Sequence, residues 1–295
     1  DITSICEDAN GNIWIGTWNG LSVYNRDSDR FHNYFHDPND SKSISSNRIF
    51  SIYQDSYGLI WIKTLESLDR YDFSNNTFIR YPHFSDPFSV TADNNDFKIF
   101  EDSQKRLWVG TKDGLMYFDK RLGLFKAYSH DPANNLSISN NRVKDILEDK
   151  YNNLWVATAN GLNKMHPKSE EFDRYLRSAN KNRGLLSNNI NILFQDSKGG
   201  LWIGSEEGLC SYNYSSDEFI PHRMFVKGSE IFATSINAMV EDKSNILWIG
   251  TQSGLIKWDR KVQKIKVYSK RPNGANLFSG NNIASIYEDD NKEIW

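Results

Sequence analysis

Short apolar runs separated by turn-forming residues fill this chain, and none of them follows the 3.6-residue period of a helix. Residues 44–81 show the pattern: the apolar pair Ile52 and Tyr53 indicates a buried strand, and LIWIKT, LDRYD and FIRY indicate three more. Asp55 can accept a backbone N–H group in an Asx turn, and Gly58, which tolerates a positive φ, stands three positions before Trp61. The pattern therefore predicts a unit of four short strands joined by tight turns.

This unit recurs along the chain at intervals of 47 or 46 residues. Each repeat carries a tryptophan at the same place: Trp14, Trp61, Trp108, Trp155, Trp202, Trp248 and Trp295. Six positions before each tryptophan stands an aspartate: Asp8, Asp55, Asp102, Asp149, Asp196, Asp242 and Asp289. Packing between neighbouring repeats requires the same residue type at the same place, so we interpret the tryptophans as structural and the aspartates as turn caps. Acidic pairs such as Glu101 and Asp102 recur for the same reason, and no catalytic residue is predicted.

Four-stranded repeats of about 40 to 50 residues are typical of a β-propeller, an all-β fold of blades arranged in a ring. Residues 1–295 contain six full repeats and the first half of a seventh. We therefore predict a single propeller domain with seven four-stranded blades, of which the last is incomplete. A ring of six blades and a cut across two consecutive propellers are also compatible with the pattern. Because the chain starts without Met and stops inside a repeat, we expect it to be a fragment of a longer protein.

Composition narrows the possible functions. A hydrophobic share of 38% supports a packed core, and a net charge of −3 argues against nucleic acid binding, which depends on clustered Lys and Arg. No apolar run approaches the roughly 18 residues of a membrane span, and the sequence does not open on a charged-then-apolar leader pattern, so we expect neither a membrane span nor a leader within this segment. The two cysteines, Cys6 and Cys210, provide neither a disulfide framework nor a zinc cluster, so we expect no metal and no cofactor.

The repeat resembles the two-component regulator propeller repeat. The similarity covers essentially the whole chain and is strongest in ICEDANGNIWIGTWNGLSVYN, EDSQKRLWVGTKDGLMYFD and EDKSNILWIGTQSGLIKWD, and in the connectors YFHDPNDSKSISSNR and YSHDPANNLSISNNR. In that family such repeats form the extracytoplasmic sensor of hybrid two-component systems, common in gut Bacteroidetes, which detect oligosaccharides. The resemblance implies a periplasmic location, with the parent protein anchored in the inner membrane.

The resemblance also implies partners. The parent chain is expected to carry further propeller and immunoglobulin-like modules, a membrane helix and a histidine kinase, and to form a homodimer. An oligosaccharide, possibly acidic, is the implied ligand of this segment. The segment itself is expected to contact a membrane only through the parent chain.

Some residues depart from the repeat and are candidates for ligand binding. Trp18 lies in a column with no shared residue type, between the second and third strands, and is either a sugar platform or a loop-packing residue. Arg48 and Arg142 end the connectors before the first strand of their repeats, where they either bind a carboxylate or sulfate or cap connector carbonyls. The other candidates are Lys112, the counterpart of Trp18 in the third repeat, and Arg223 and Lys227 in the fifth connector.

Other departures mark places where the local geometry differs. In the second repeat, Lys63 replaces a glycine and Ser67 replaces the glycine that begins the third strand elsewhere. The second and fifth connectors lose the S-I-S-x-N turn. His36 and His130 belong to the repeated HDP turn, which we expect them to organise.

A non-catalytic ligand-sensing propeller is the function that these observations favour. A propeller enzyme of the lyase or glycosidase type and a protein-interaction scaffold are the alternatives. Lyase propellers share a D-x-x-G-x-[IL]-W strand with this chain, whereas the aspartate spacing differs from that of sialidases.

Overall fold

The computed structural model of this protein describes residues 1–82, 98–177, 184–222, 225–226, 229–230, 234–269 and 280–295. No helix occurs in these ranges, and the regular structure consists of β-strands joined by turns. The chain divides into two compact units, the first formed by Asp1–Ser129 with Asn141–Ile146 and the second by His130–Asn140 with Leu147–Trp295. The closure of the repeats into one ring stays a prediction.

Each of the first six repeats forms one four-stranded antiparallel sheet, here called a blade, with its strands in sequence order. This finding confirms the predicted all-β fold of four-stranded blades. Blade 1 contains β1 (Ile2–Glu7), β2 (Ile13–Thr17), β3 (Gly20–Asn25) and β4 (Arg30–Tyr34). Blade 2 contains β5 (Ile49–Gln54), β6 (Ile60–Thr64), β7 (Ser67–Asp72) and β8 (Thr77–Pro82). Blade 3 contains β9 (Lys98–Glu101), β10 (Leu107–Gly110), β11 (Leu115–Asp119) and β12 (Leu124–Tyr128).

The remaining blades follow the same plan. Blade 4 contains β13 (Val143–Glu148), β14 (Leu154–Thr158), β15 (Gly161–Met165) and β16 (Phe172–Tyr175). Blade 5 contains β17 (Ile190–Gln195), β18 (Leu201–Ser205), β19 (Gly208–Asn213) and β20 (Glu218–His222), and a hairpin of β21 (Phe225–Val226) and β22 (Ser229–Glu230) comes next in the sequence. Blade 6 contains β23 (Ile236–Glu241), β24 (Leu247–Thr251), β25 (Gly254–Asp259) and β26 (Lys264–Tyr268). In the seventh repeat, Glu288 and Ile294 form an antiparallel bridge.

One carboxylate fixes both the first turn and the tryptophan of every repeat. The indole Nε1 of each tryptophan donates to Oδ2 of the aspartate six positions before it, at 2.7 to 3.0 Å. In the first six repeats, Oδ1 of the same aspartate accepts the backbone N–H groups of the second and fourth residues after it. The residue three positions before each tryptophan has a φ between 61° and 80°, as predicted for Gly and Asn and also where it is Lys105 or Lys292. The aspartate therefore caps the turn, and it also holds the indole, which the sequence pattern did not indicate.

The tryptophan rings lie between consecutive blades of each unit. In the first unit, the Trp14 ring meets the edge of Tyr71 in the next blade, with centroids 4.8 Å apart. In the second unit, Trp155 meets Tyr212 in the same way, also at 4.8 Å. Trp14 is 1% exposed and Trp155 is fully buried. These rings form the centre of the hydrophobic clusters between blades.

In blades 1, 2, 5 and 6 a β-bulge lies near the start of the first strand. In blade 1 the register shifts at Thr3, whose Oγ1 donates to the carbonyl of Ile49 at 2.7 Å. In blade 5 the bulged residue is Asn191, whose Nδ2 donates to the carbonyl of Ile236 at 3.2 Å. Blade 2 has Phe50 at this position. In blades 1 and 5 the bulge residue therefore bonds to the next blade, whereas in blade 2 the residue at this position is an aromatic ring.

Charged side chains also cross between blades at the far end of the third strand. In the first unit, Lys120 of blade 3 binds Asp55 of blade 2 at 2.8 Å and also binds Glu101 of its own blade. In the second unit, Arg260 of blade 6 binds both Asp196 of blade 5 and Glu241 of its own blade. We call this arrangement of one cation between two carboxylates a clasp.

The hydrogen bond between the indole and the aspartate can be tested without removing the ring. Replacing Trp155 by Phe keeps an aromatic ring between the blades but leaves Asp149 Oδ2, which is 2.7 Å from the indole nitrogen, without that donor. We expect the free energy of unfolding to fall by about 1 to 3 kcal/mol, measured by urea denaturation. The matched control is Trp18→Phe, because the Trp18 indole makes no hydrogen bond in the described part of the chain. Equal losses in the two variants would contradict the assignment.

His222 provides a pH-dependent test of the fold. It stands where other repeats have tyrosine, and burial lowers the pKa of His222 to about 4. Between about pH 6.5 and pH 4 the unfolded chain therefore binds a proton that the folded chain does not, and stability falls as the pH drops through this window. The loss of unfolding free energy should reach at most about 3 kcal/mol. His222→Tyr should have a flatter pH dependence of urea unfolding across this window, whereas an unchanged slope would show that His222 is not the source.

Candidate ligand-binding site

Trp18 lies in the two-residue turn between β2 and β3, and the turn holds it rigidly. Thr17 Oγ1 accepts the Asn19 N–H at 3.0 Å and donates to the Gly20 carbonyl at 2.9 Å. Gly20 has a φ of 105°, which favours glycine. The Trp18 side chain is half-buried rather than fully exposed.

Arg48 precedes β5, and its guanidinium lies over the Trp18 ring. The Arg48 Cζ atom is 4.7 Å from the centroid of that ring, which is a favourable cation–π geometry. The edge of the ring meets Phe50, with centroids 6.3 Å apart and an angle of 73° between planes. In the described part of the chain the guanidinium has no hydrogen bond and no ion pair. The structure thus brings two of the predicted candidates, Trp18 and Arg48, into direct contact.

Phe50 is a site residue that the sequence reasoning missed. It occupies the bulge position of β5. The equivalent residues of the first, fourth, fifth and sixth repeats are polar, and that of the third is aromatic: Thr3, Lys144, Asn191, Asn237 and Phe97. The aromatic residue was visible in the sequence, but its contact was not, because Phe50 meets Trp18 of the preceding blade. Thr3 and Asn191, by contrast, bond to the following blade.

A buried amine lies behind Phe50. Lys63 is 1% exposed, and its Nζ is 5.8 Å from the centroid of the Phe50 ring. Burial lowers the pKa of the Lys63 amine to about 7, although the carboxylates of Asp69 and Asp113 favour the protonated form and Lys112 opposes it. In blade 1 the same position is Gly16, where an added Cβ would lie 2.6 Å from a side-chain carbon of Ile49. Blade 2 therefore has space at a place where blade 1 has none.

The connector of blade 2 is held by a second buried polar group. Asp69 is fully buried and accepts the backbone N–H of Ser45 at 2.7 Å and the hydroxyl of Ser67. Burial raises the pKa of Asp69 despite these hydrogen bonds. Ser67, noted in the sequence as a departure from glycine, thus serves to bind Asp69.

The other predicted candidates lie elsewhere. Lys112 is in the turn between β10 and β11, and Arg142 immediately precedes β13; both are partly buried. Arg223 and Lys227 lie outside the described residues. The described contacts therefore support Trp18 and Arg48 as a pair and leave the other four as predictions.

Arginines do cap connector carbonyls, but at another position in the repeat. Arg80 Nε donates to the Ser43 carbonyl at 2.8 Å. Arg174 Nη2 donates to the Asn134 carbonyl at 2.6 Å. This role, considered above for Arg48, belongs to arginines of the fourth strands.

The two histidines of the HDP turns organise their connectors, as expected. His36 Nδ1 is 2.9 Å from the Ile44 carbonyl, and His130 Nδ1 is 2.8 Å from the Ile138 carbonyl. Among the described residues, no group of three or more His, Cys, Asp or Glu side chains could hold a metal ion. No helix long and apolar enough to cross a membrane is found in the same part of the chain.

The repeating four-stranded blades define this chain as a β-propeller protein. Five stretches of the chain are similar to the two component regulator propeller family, whose model matches residues 1–19, 43–66, 137–160, 184–207 and 230–253. This match confirms the predicted resemblance. No relative was found among the curated proteins.

Solved structures with the same fold include two extracellular domains from B. thetaiotaomicron, both of proteins described as hybrid two component systems. One is 23% identical with a TM-score of 0.73, and the other is 25% identical with a TM-score of 0.69. They cover 100% and 98% of this chain, and the chain spans 38% of the length of each. Virginiamycin B lyase from Staphylococcus aureus is 13% identical with a TM-score of 0.61, covering 92% of this chain and 84% of the lyase. The likeness to the lyase shows the fold alone.

Proposed function

We propose that this chain is the ligand-sensing propeller of an extracytoplasmic receptor, and that it binds an acidic oligosaccharide at Trp18 and Arg48 without turning it over. The observation that carries the proposal is the guanidinium of Arg48 stacked on Trp18 at 4.7 Å. The stack orients a planar set of donors, none of which is used by the described residues.

The chemistry of this pair suits a carboxylate or sulfate on a sugar. A guanidinium presents donors in a fixed fork that matches such anions in a bidentate geometry. The cation–π contact holds the fork in place before the ligand arrives, so less conformational entropy is lost on binding. The remaining exposed part of the Trp18 ring can pack against the C–H face of the sugar that carries the anion.

The similar structures support a proposal for the parent protein and its cellular location. Similar structures are extracellular domains of proteins described as hybrid two component systems, and the chain spans 38% of their length. We propose that the parent protein lies in the inner membrane with this segment in the periplasm, and that it signals through a histidine kinase to genes for glycan use. Further propeller and immunoglobulin-like modules, and a second copy of the receptor, are the partners proposed for it.

Binding at the pair can be tested by calorimetric titration with oligosaccharides. The probes are maltohexaose as a neutral glycan, a hyaluronan hexasaccharide and a heparin-derived hexasaccharide. Replacing Trp18 by Ala or Arg48 by Met removes one stacking or one charged contact, each worth about 1 to 3 kcal/mol, so acidic glycans should bind roughly five- to a hundred-fold more weakly. Binding by the wild type should weaken as the salt concentration rises.

The control is Arg177→Met, because Arg177 is exposed and pairs with Glu207 in the second unit. This variant should bind like the wild type. Acidic glycans that bind equally to all variants would reject the site. Time-dependent appearance of cleavage products would reject the sensor in favour of a lyase or glycosidase.

A further inference from the structure

A groove of about 500 Å³ opens between the outer strands of blades 1 and 2, within the first unit. Its walls come from β3, β4 and the end of β7 and include Asn25, Arg30, His32, Tyr34 and Phe73. None of these residues belongs to the Trp18 and Arg48 pair, and none was singled out by the sequence pattern as a binding residue. The volume is within the range of small-ligand sites in proteins.

The junction of blades 1 and 2 lacks the clasp that joins blade 2 to blade 3 and blade 5 to blade 6. At the position of Lys120 and Arg260, blade 2 has Phe73, and the acidic residue of the clasp is replaced by Gln54. Asp8, the remaining member, is satisfied instead by Asn12 Nδ2 and by the Trp14 indole, both at 2.9 Å. The side chain at the clasp position of this junction is therefore an aromatic ring and not a cation.

Aromatic rings form the exposed walls of the groove. Phe73 is 47% exposed, and its ring is held edge-on against Tyr71, with centroids 4.9 Å apart. Phe31, at the other side, is 62% exposed. An exposed aromatic ring that is fixed by its neighbours offers a flat apolar surface at little entropic cost, and such patches with a polar rim mark ligand sites.

Polar side chains that are free to form further hydrogen bonds lie beside these rings. The Arg30 guanidinium and the His32 imidazole are exposed, and neither makes a hydrogen bond with any residue that the structure describes. Asn25 is fixed at the rim, since its Nδ2 donates to Asn12 at 2.7 Å and its Oδ1 accepts from Ser28. The groove therefore combines flat apolar walls with separate hydrogen-bonding groups, which matches the C–H faces and the hydroxyl groups of a sugar ring.

We propose that this groove binds one pyranose ring of a glycan, as a site separate from Trp18 and Arg48. The ring packs between Phe31 and Phe73, and its hydroxyl groups meet Arg30 and His32. The proposal does not depend on the first site, because the two sites share no residue.

The groove can be tested by copying the clasp of blade 3 into blade 2. The double variant Gln54→Glu and Phe73→Lys installs the clasp that blade 3 uses, in which Lys120 binds Asp55 and Glu101. We expect the new lysine to reach Asp8 and close the groove while the protein stays folded. Wild type, the clasp variant and Trp18→Ala are compared on an array of neutral and acidic oligosaccharides, and the strongest ligands are then titrated in solution.

The proposal expects at least one glycan that Trp18→Ala still binds and that the clasp variant binds at least about ten-fold more weakly, the loss expected for a stacked ring. Equal array profiles for wild type and the clasp variant, or no glycan bound by Trp18→Ala, would overturn it. If the clasp variant fails to fold, the double variant Phe31→Ser and Phe73→Ser is used in its place, because it removes the apolar walls of the groove. Loss of binding in Trp18→Ala alone bears on the first site only, so the two proposals fail separately.

Discussion

The hydrogen bond between each tryptophan and the aspartate six positions before it is the interaction on which this fold depends. One oxygen of the carboxylate closes the turn between the first two strands, and the other fixes the indole that packs on the next blade. A local turn and a contact between blades are therefore determined by one side chain. This arrangement explains why the two residue types recur together at one spacing. It also accounts for carboxylates that are nearly buried, such as Asp55 at 4% exposure.

The electrostatics of these aspartates follow from the same geometry. Burial raises the pKa of Asp55 and Asp196, but hydrogen bonds from the indole and from the clasp cation outweigh it, so both carboxyls have a pKa below the ordinary value. Asp8 has no clasp, and its pKa is lowered by the indole and Asn12 against the effect of burial. A buried carboxylate is stable here because several donors satisfy it, which is the general condition for burying charge.

Both proposed sites lie where blade 2 departs from this regular scheme. Phe50 replaces a polar bulge residue and reaches Trp18, and Phe73 replaces a clasp cation and leaves a groove. In each case an apolar ring stands where another blade makes a polar bond to its neighbour, through Asn191 at the bulge or Lys120 at the clasp. A repeat protein can change such a position without losing its fold, because each blade retains its own strand pairing and its own tryptophan.

The sequence alone determined the strands, the turns and the repeat, because these features depend on residues close together in the chain. The apolar pattern predicted the four strands of blade 2, and glycine or asparagine three positions before a tryptophan predicted a positive φ there. Lys105 and Lys292 have a positive φ that their residue type did not predict. The sequence also indicated Trp18 and Arg48 as departures, but not that they touch.

Only the tertiary structure decided which side chains meet, since partners such as Trp18 and Arg48, or Lys120 and Asp55, belong to different blades. The contact of Phe50 with Trp18, and the groove beside Phe73, likewise depend on the neighbouring blade. A periodic sequence pattern shows what all repeats share. The proposed binding sites consist of residues that the repeats do not share, and the chemistry of these residues depends on contacts between blades.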